Sequence, residues 1–511
     1  LSRPVQYERN NWITDMGSRQ YPEVRWVWDC ANGKEGLFHQ PPDKPLRYPF
    51  HINEYAHNMG NAMGNLKDYQ DAIESTTRIM GAAIWDWVDQ GIWHVTTNGV
   101  KILAYGGDFG DYPTMGPFMM NGCVLSDRAL EPGYWEVKHV FQPIVAEKSA
   151  DGKAIMVKNR HYFRDLSAYD FVLTHFVNGK KGSEETRALD LGPQLTTRVD
   201  VPNATGSWRV EFRQKAAEGF WPKGWVIADD QIDFTEPDVS RPDPSGDLEF
   251  GFCEKTGELV SLKSGKLFKT ELLKEPFTLD IWRAPSQNEP KEKRIWAAKK
   301  FNAPEKKLVS FDDSKADGVR TVNSVVEYAV SGTVFEVATV WKIKAGAAKV
   351  KATFVQKGAK AEPARIGFRT VFDYAKMKVD WLGCGPWENY SDRKSGAFLG
   401  AWSLGSKDFF VPYNVPQDCG NREGTYRVKL AARFDSVTFE TAAAPFAFEV
   451  NPYLPETLVK FAHPAELPDS DVTFFGIYAK SRGLGGNSCG PKPLARDIVK
   501  EGPYTLAFTI R

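Results

Sequence analysis

An acidic side chain and a histidine stand three residues apart in the segment 49–61. Glu54 closes a short apolar run, and His57 follows it. A carboxylate in such a place can attack an electrophilic carbon, and an imidazole beside it can hydrogen-bond a substrate or the attacking group. From these residues alone, a solvated loop glutamate, half of a salt bridge and a structural histidine are the commoner interpretations.

The elements around Glu54 are predicted in the order strand, loop, helix. Residues 45–52 indicate a short buried strand. Residues 65–80 indicate a helix, whose apolar stripe comprises Leu66, Tyr69, Ile73 and Met80. In (β/α) barrels the catalytic groups lie where strands run out into the following loops. This order therefore places Glu54 where a nucleophile is expected.

Strand-like segments recur along the first 90 residues, at 3–8, 12–16, 48–53 and 81–88. Because they alternate with loops and a helix, they are interpreted as successive parallel strands of a barrel. A closed barrel needs eight such strands. The remaining strands are therefore expected either upstream of residue 1 or from another polypeptide, and residues 1–144 form the partial barrel.

The pattern changes near residue 145 to short strands that alternate apolar and polar residues. The run 169–177 ends at Asn178-Gly179, which is typical of a hairpin turn. Residues 145–236 are therefore predicted to form a small immunoglobulin-like β-sandwich. Three prolines with polar neighbours make 237–247 a linker, and residues 248–511 are predicted to form a second, larger all-β domain.

Composition excludes some classes of partner. The 511 residues carry a formal net charge of zero, so no basic surface for nucleic acid is predicted. No run approaches the ~20 apolar residues of a membrane span, and the first residues lack a signal-peptide layout. Sixteen tryptophans suit both sugar recognition and large β-sheet cores. Six widely spaced cysteines suggest neither a zinc site nor a dense disulfide framework, so cytoplasm and periplasm both stay open.

The string His51-Ile-Asn-Glu-Tyr-Ala-His-Asn-Met-Gly-Asn61 closely resembles the nucleophile motif of the large bacterial β-galactosidases of glycoside hydrolase family 2. The segments 105–111, 118–122, 380–393 and 412–422 resemble the same family. The resemblance covers essentially the whole chain, as the C-terminal half of such an enzyme. It implies a multidomain fold, in which the second half of a (β/α)8 TIM barrel precedes an immunoglobulin-like β-sandwich and a large C-terminal β-supersandwich.

The resemblance also implies an activity, the retaining hydrolysis of terminal β-D-galactose residues from β-galactosides such as lactose. Glu54 would form the covalent galactosyl-enzyme, and Tyr21 would assist its release. His57 would contact the sugar and Trp85 would form the floor of its pocket. Asp86 and Asp89, which flank the Trp87 of the same segment, are expected to hold loops or partner basic groups.

Two metal ions follow from the resemblance. The Phe118 carbonyl and the Asn121 side chain would bind sodium beside the sugar, as part of a site whose aspartate lies upstream; oxygen ligands suit such a hard cation. The magnesium ligands and the general acid/base would all precede residue 1, because the family places the acid just before a string like that of residues 2–8. An upstream half of the barrel and a homo-oligomer are the expected protein partners.

The last domain carries two further signatures, 380–393 and 412–422, for which turn and core structure is the plain interpretation. The family often presents a tryptophan after the second signature to stack the leaving group, whereas this chain offers only Tyr426. Two alternatives to a β-galactosidase stay open. One is another family 2 glycosidase, a β-glucuronidase or β-mannosidase. The other is a catalytically incomplete fragment that acts as a carbohydrate-binding or structural assembly.

Overall fold

The computed structural model describes residues 2–8, 13–34, 43, 49–239, 244–265 and 269–511. Strands dominate throughout, and helices are few and short, as expected for a β-rich multidomain chain. The α-helices are α1 Val24–Ala31, α2 Leu66–Glu74, α3 Pro132–Val140, α4 Pro290–Lys299 and α5 Pro455–Leu458. Short 3-10 helices occur at Gly116–Met119, Leu166–Ala168, Ser406–Phe409, Pro464–Glu466 and Ala495–Asp497. Within the described ranges, no helix has the length and apolar character to cross a membrane.

The N-terminal region is built on a three-stranded parallel sheet in the order β1-β2-β3. Its strands are β1 Gly17–Gln20, β2 Phe50–Tyr55 and β3 Ile79–Ile84, followed by the hairpin β4 Ile92–Val95 and β5 Lys101–Ala104. The helices α1 and α2 alternate with these strands and bury their apolar residues with them in one core. Parallel neighbours require such crossover connections, so the chain returns to the same sheet edge after each helix.

Several predicted boundaries in this region are wrong. Residues 3–8 form no strand, only an isolated bridge between Gln6 and Met16, because the Val5 N–H and carbonyl bond to Asp15 instead. The strand predicted at residues 12–16 lies later in the chain and spans Gly17–Gln20. Residue 12 and residues 44–48 of the predicted strands lie outside the described residues.

The helix predicted over 65–80 ends early, at Glu74. The Ser75 hydroxyl donates to the Ala72 carbonyl at 2.8 Å and closes the last turn, and two β-branched threonines follow, which are poor helix formers. Leu66, Tyr69 and Ile73 are buried as predicted. Met80 belongs to β3 and is 58% exposed, so its place on the helical stripe is wrong.

The middle region consists of two antiparallel sheets around one core. The predicted strand 169–177 and its hairpin turn are confirmed, with positive φ at both Asn178 and Gly179. The sheets run β10-β7-β6 and β12-β11-β8-β9. Their strands are β6 Ile144–Lys148, β7 Ala154–Asn159, β8 Tyr169–Val177, β9 Lys180–Arg187, β10 Thr196–Asp200, β11 Ser207–Gln214 and β12 Val226–Asp233.

The C-terminal region contains an eight-stranded and a nine-stranded sheet that share a large apolar core. Its first strands are β13 Glu249–Phe252, β14 Leu259–Ser264, β15 Thr270–Glu271, β16 Leu273–Asp280, β17 Glu305–Ala316, β18 Val319–Val330, β19 Thr333–Lys344, β20 Ala347–Gly358 and β21 Arg365–Phe372. The others are β22 Lys378–Gly385, β23 Phe398–Gly405, β24 Asn421–Thr425, β25 Arg427–Ala432, β26 Asp435–Thr441, β27 Phe446–Asn451, β28 Thr473–Ser481 and β29 Tyr504–Ile510. Side chains alternate between the core and the outer face along each long strand, which gives this region a rigid scaffold for its loops.

Candidate functional site

Glu54 lies near the end of β2, where the sheet loses its regular register. It pairs with Gln20 on β1, and the ladder shifts between Ile52 and Tyr55 on the β3 side. The Gln20 amide Nε2 donates to Glu54 Oε1 at 2.7 Å, and the Tyr21 N–H donates to the Glu54 carbonyl at 2.8 Å. The carboxylate is therefore half-buried and oriented at the carboxyl edge of the parallel sheet.

Tyr21 stands directly beside this carboxylate. Burial and a side-chain hydrogen bond to Glu54 raise the pKa of Tyr21 far above its usual range, so the phenol keeps its proton. Its backbone adopts the left-handed conformation, with φ of 42°. Its ring meets His57 edge-on, with the centroids 5.7 Å apart. The structure thus brings the predicted pair Glu54 and Tyr21 together with His57.

His57 is fully buried between two aromatic rings, those of Tyr21 and Phe118, with the Phe118 centroid 5.6 Å away. Its Nδ1 lies 2.6 Å from the Ser488 Oγ. Its Nε2 is buried and has no hydrogen-bond partner among the described residues. Burial lowers the pKa of His57 to about 4, so the ring is neutral at physiological pH.

Backbone hydrogen bonds join the Trp85 segment to both neighbouring loops. The Trp85 N–H donates to the Tyr55 carbonyl at 3.1 Å, and the Asn58 N–H donates to the Trp85 carbonyl at 2.9 Å. The Asp86 N–H donates to the Asn121 carbonyl at 2.6 Å. Trp85 leaves 37% of its surface exposed, so its indole is accessible at the same edge of the sheet as Glu54.

Asn121 and Phe118 form a small group of oxygen atoms. The Asn121 Nδ2 donates to the Phe118 carbonyl at 3.1 Å, while the Asn121 Oδ1 is buried without a hydrogen-bond partner in the described part of the chain. A buried oxygen with no partner is costly unless a cation or water satisfies it. These two residues therefore fit a hard cation such as sodium. No group of three or more His, Cys, Asp or Glu side chains in the described ranges could hold a metal ion.

The two C-terminal signatures meet the segment that follows His57. The buried Asn61 amide Nδ2 donates to the Tyr390 hydroxyl at 3.0 Å and to the Asp418 carbonyl at 2.8 Å. The Tyr413 hydroxyl donates to Asn61 Oδ1 at 3.2 Å, and Arg393 donates to the Ala62 carbonyl at 3.0 Å. The signatures are thus structural, but their turns contact the loop that follows Glu54. Trp381 itself is buried in the β-sheet core.

Asp89 holds loops together, as the sequence predicts. Its Oδ1 accepts the Gly122 N–H at 2.6 Å, and its Oδ2 accepts from the Asn414 amide of the C-terminal region. Burial raises the pKa of Asp89 to about 7, against the opposing effect of these hydrogen bonds. Asp86 accepts the Trp87 N–H at 2.5 Å within its own turn.

Sequence reasoning missed three residues of this neighbourhood, Gln20, Ser488 and Cys489. Ser488 and Cys489 belong to a loop of the C-terminal region, and the charge of Glu54 adds to burial in raising the pKa of the Cys489 thiol. Tyr426, which the chain offers after the second signature, lies between β24 and β25. Tyr426 is buried, and its N–H donates to the Leu382 carbonyl within the β-sheet at 2.8 Å.

Three family profiles match this chain in succession. "Glycosyl hydrolases family 2, TIM barrel domain" matches residues 1–146, "Beta-galactosidase, domain 4" matches 155–235, and "Beta galactosidase small chain" matches 244–510. The last match covers more than half of the chain.

Individual proteins named β-galactosidase are also similar to this chain. A β-galactosidase of Halalkalibacterium halodurans is 27% identical over 97% of this chain and 50% of its own length. Those of Priestia megaterium and Streptococcus thermophilus are each 28% identical, over 95% and 100% of this chain and 50% and 53% of their own. A solved galactose mutarotase-like protein from Lactobacillus casei aligns with 53% of this chain at 13% identity and a TM-score of 0.30. The chain spans about half the length of the relatives it matches.

Proposed function

The chain belongs to the β-galactosidase small chain family, and we propose that it carries the nucleophile of a retaining β-galactosidase. The observation that carries this proposal is the pairing of Glu54 with the protonated Tyr21 at the open edge of a parallel sheet. Glu54 attacks the anomeric carbon of a terminal β-D-galactose residue and forms a galactosyl ester. Water then hydrolyses the ester and the anomeric configuration is retained.

Each neighbour of Glu54 has a role in this reaction. The Gln20 amide holds one carboxylate oxygen and orients the other toward the sugar. The Tyr21 hydroxyl donates a hydrogen bond to the carboxylate, and it favours departure of the carboxylate when the ester breaks. Trp85 offers an exposed indole face on which a pyranose ring can pack. His57 hydrogen-bonds a sugar hydroxyl.

Retaining glycosidases need a second carboxyl ~5–5.5 Å from the nucleophile to protonate the leaving oxygen. The family resemblance assigns this general acid/base, together with the magnesium ligands, to a position before residue 1. No carboxylate of the described residues is proposed as the general acid/base. The intact active site is therefore proposed to combine Glu54 with an acid from the other part of the barrel.

Among the described residues, Phe118 and Asn121 offer oxygen ligands for sodium. We propose that the Phe118 carbonyl and the Asn121 Oδ1 bind it, which satisfies the otherwise unpartnered amide oxygen. Bound by these two oxygens, the ion would supply a positive charge beside His57 that attracts the oxygen of a sugar hydroxyl. Asn121→Ala is expected to raise the sodium concentration that gives half-maximal activity in the intact protein by at least about 10-fold; an unchanged sodium titration contradicts this site.

The architecture proposed for the whole chain follows the family. The parallel sheet β1-β2-β3 with its two helices represents the second half of a (β/α)8 barrel, and the two small antiparallel sheets an immunoglobulin-like sandwich. The eight-stranded and nine-stranded sheets represent the C-terminal β-supersandwich. The family match over residues 1–146 supports the first of these assignments.

Covalent labelling tests the function directly. The protein is incubated with 2-deoxy-2-fluoro-β-galactosyl fluoride, whose good leaving group removes most of the need for the missing acid, and its peptides are examined by mass spectrometry. A galactosyl label on the Glu54 peptide, absent in Glu54→Gln, supports the proposal. A folded protein that acquires label elsewhere, or none at all in the presence of the complementary barrel half, overturns it and favours the carbohydrate-binding or structural alternative.

A further inference from the structure

The buried histidine beside the nucleophile is held by a loop from the opposite end of the chain. Asp392 anchors the start of this loop, because its carboxylate accepts the N–H groups of Leu484 and Gly485, each at 2.9 Å. Three residues after Gly485, the Ser488 Oγ lies 2.6 Å from the His57 Nδ1. Residues 57 and 488 are thus joined through a short side-chain contact rather than through the backbone.

Asn288 fixes the other side of Ser488. Its Nδ2 donates to the Gly485 carbonyl at 2.7 Å, and its Oδ1 accepts the Ser488 N–H at 3.0 Å. Because one partner can only accept and the other can only donate, the orientation of this buried amide is determined. The Asn288 Oδ1 is therefore an acceptor, and it lies 2.6 Å from the Ser488 Oγ.

The placement of the protons follows from these contacts. A serine hydroxyl has one proton, and the Asn288 Oδ1 takes it. The Ser488 Oγ can then only accept from His57, so the proton of the neutral imidazole lies on Nδ1. The other ring nitrogen, Nε2, is left with a lone pair, and it is the nitrogen that has no partner among the described residues.

We propose that Asn288 and Ser488 are positioning residues that fix His57 in its Nδ1–H form, so that Nε2 accepts a hydrogen bond from one hydroxyl of the bound sugar. This inference rests on the proposed function and adds to it the direction of the contact. The site selects a hydroxyl that can donate at that position, and it discriminates against sugars that carry hydrogen or a methyl ether there. A buried acceptor that loses its donor gives strong rejection of such analogues.

The direct test is the protonation pattern of the ring, which needs no turnover. In the intact protein labelled with 15N-histidine, the His57 resonances are identified by their loss in His57→Gln. The expected spectrum shows a protonated Nδ1 and an unprotonated Nε2. Ser488→Ala is expected to abolish this preference and Ser488→Thr, which keeps the hydroxyl, to restore it. A proton on Nε2 in the unmodified protein overturns the proposal.

A second test measures the consequence for the substrate. We compare kcat/KM for aryl β-galactosides that each lack one sugar hydroxyl. One analogue is expected to lose about 10²-fold in the unmodified protein but less than about 10-fold in Ser488→Ala. Ser488→Thr should keep the full loss, as should the control Asn487→Ala, whose side chain in the same loop bonds to Glu292 instead. An equal loss in Ser488→Ala and in the unmodified protein contradicts the assignment.

The two proposals fail in different ways. If Glu54 is not the nucleophile, the fluorogalactosyl label is missing from its peptide while the His57 spectrum is still the expected one. If the tautomer assignment is wrong, Glu54 is labelled but the spectrum shows the proton on Nε2. Folding defects are recognised independently, because Ser488→Thr and Asn487→Ala alter the same loop with the hydroxyl intact.

Discussion

The two halves of the string 51–61 are supported by different parts of the molecule. Glu54 is held by Gln20 and Tyr21, its neighbours on the parallel sheet, and stays half-buried. His57 and Asn61 are completely buried, and their side chains bond to Ser488, Tyr390 and other residues more than 300 positions away. The proposed nucleophile is thus placed by local structure, whereas the proposed sugar-binding part is placed by the C-terminal region.

Because of this difference, the two halves of the string should respond differently to substitution. Buried polar groups contribute to specificity when every partner is in place and become costly when one is lost. The C-terminal support of Asn61 is such a network, whereas the half-buried carboxylate of Glu54 bonds to the nearby Gln20 and Tyr21. Substitutions in the first half should therefore affect chemistry, and those in the second half should affect both folding and chemistry.

The largest effect is expected from Glu54→Gln. An amide cannot attack the anomeric carbon, so kcat of the intact protein should fall by at least about 10⁴-fold, while the unfolding transition stays in place. Activity on an aryl β-galactoside and urea unfolding measure the two quantities. Glu147→Gln, an exposed position on β6, is the matched control, and a similar loss there would contradict the assignment.

Asn61→Ala tests the second half of the string, which is held by the C-terminal region. The change removes the buried amide that donates to the Tyr390 hydroxyl and to the Asp418 carbonyl, so the free energy of unfolding should fall by about 2–4 kcal/mol. Activity should fall with it, because His57 lies on the same loop. Asn32→Ala, at the exposed end of α1, should cost no more than about 0.5 kcal/mol. Tryptophan fluorescence in urea measures the free energy of unfolding of both variants. Equal losses would contradict the proposed support of Asn61 by the C-terminal region.

Tyr21→Phe tests the support of Glu54 in the first half of the string. The ring and its edge contact with His57 are kept, but the hydroxyl that bonds to Glu54 is lost. We expect kcat to fall about 10²-fold with little change in unfolding. Burst kinetics should show the covalent intermediate accumulating. Tyr162→Phe, which is 75% exposed in the native protein, serves as the control, and an unchanged kcat in Tyr21→Phe would remove the tyrosine from the mechanism.

Asp230→Asn should give the smallest effect and leave both halves of the string unchanged. Burial raises the pKa of Asp230 to about 7 from its usual 3.8, so between those values the folded protein holds a proton that the unfolded chain releases. The stability contributed at low pH is therefore lost as the pH rises toward 7. The variant keeps the acceptor for Gln142 and Ala146 and removes the titration.

Its measurement is a comparison of unfolding at pH 5 and pH 8. Relative to the unmodified protein, Asp230→Asn should gain about 1–3 kcal/mol between these two values. The pKa of the adjacent His139 is lowered to about 4 by burial and changes stability in the opposite direction, mostly below pH 6.5. A constant difference across the pH range would show that Asp230 does not titrate in the folded state.

The sequence predicts the local half of the site and much of the small sandwich. Glu54, Tyr21 and His57 lie together, as the family resemblance implies, and the strand 169–177 with its Asn-Gly turn is placed correctly. These features depend on alternation, turn residues and neighbours close along the chain. Strand limits before residue 20 are less predictable, because Asp15 takes the hydrogen bonds that a regular strand would use.

The distant half of the site could not be predicted in the same way. Asn288 and Ser488 are small polar residues in loops without a regular period, and their partners are fixed only when the two large sheets assemble. Tyr426, the aromatic residue that follows the second signature, lies in the sheet, where its N–H donates to the Leu382 carbonyl. A resemblance can indicate which residues matter, but long-range contacts decide where they lie.

The separation of His57 and Ser488 by 431 residues has a consequence for biosynthesis. A ribosome adding 5–20 residues per second needs roughly 20–90 s to pass from one to the other. Throughout that interval the nascent chain carries Glu54, the proposed nucleophile, without the loop that contacts His57. A chain that terminates before Ser488 lacks the partner of the His57 Nδ1, so we expect its imidazole to have no fixed orientation.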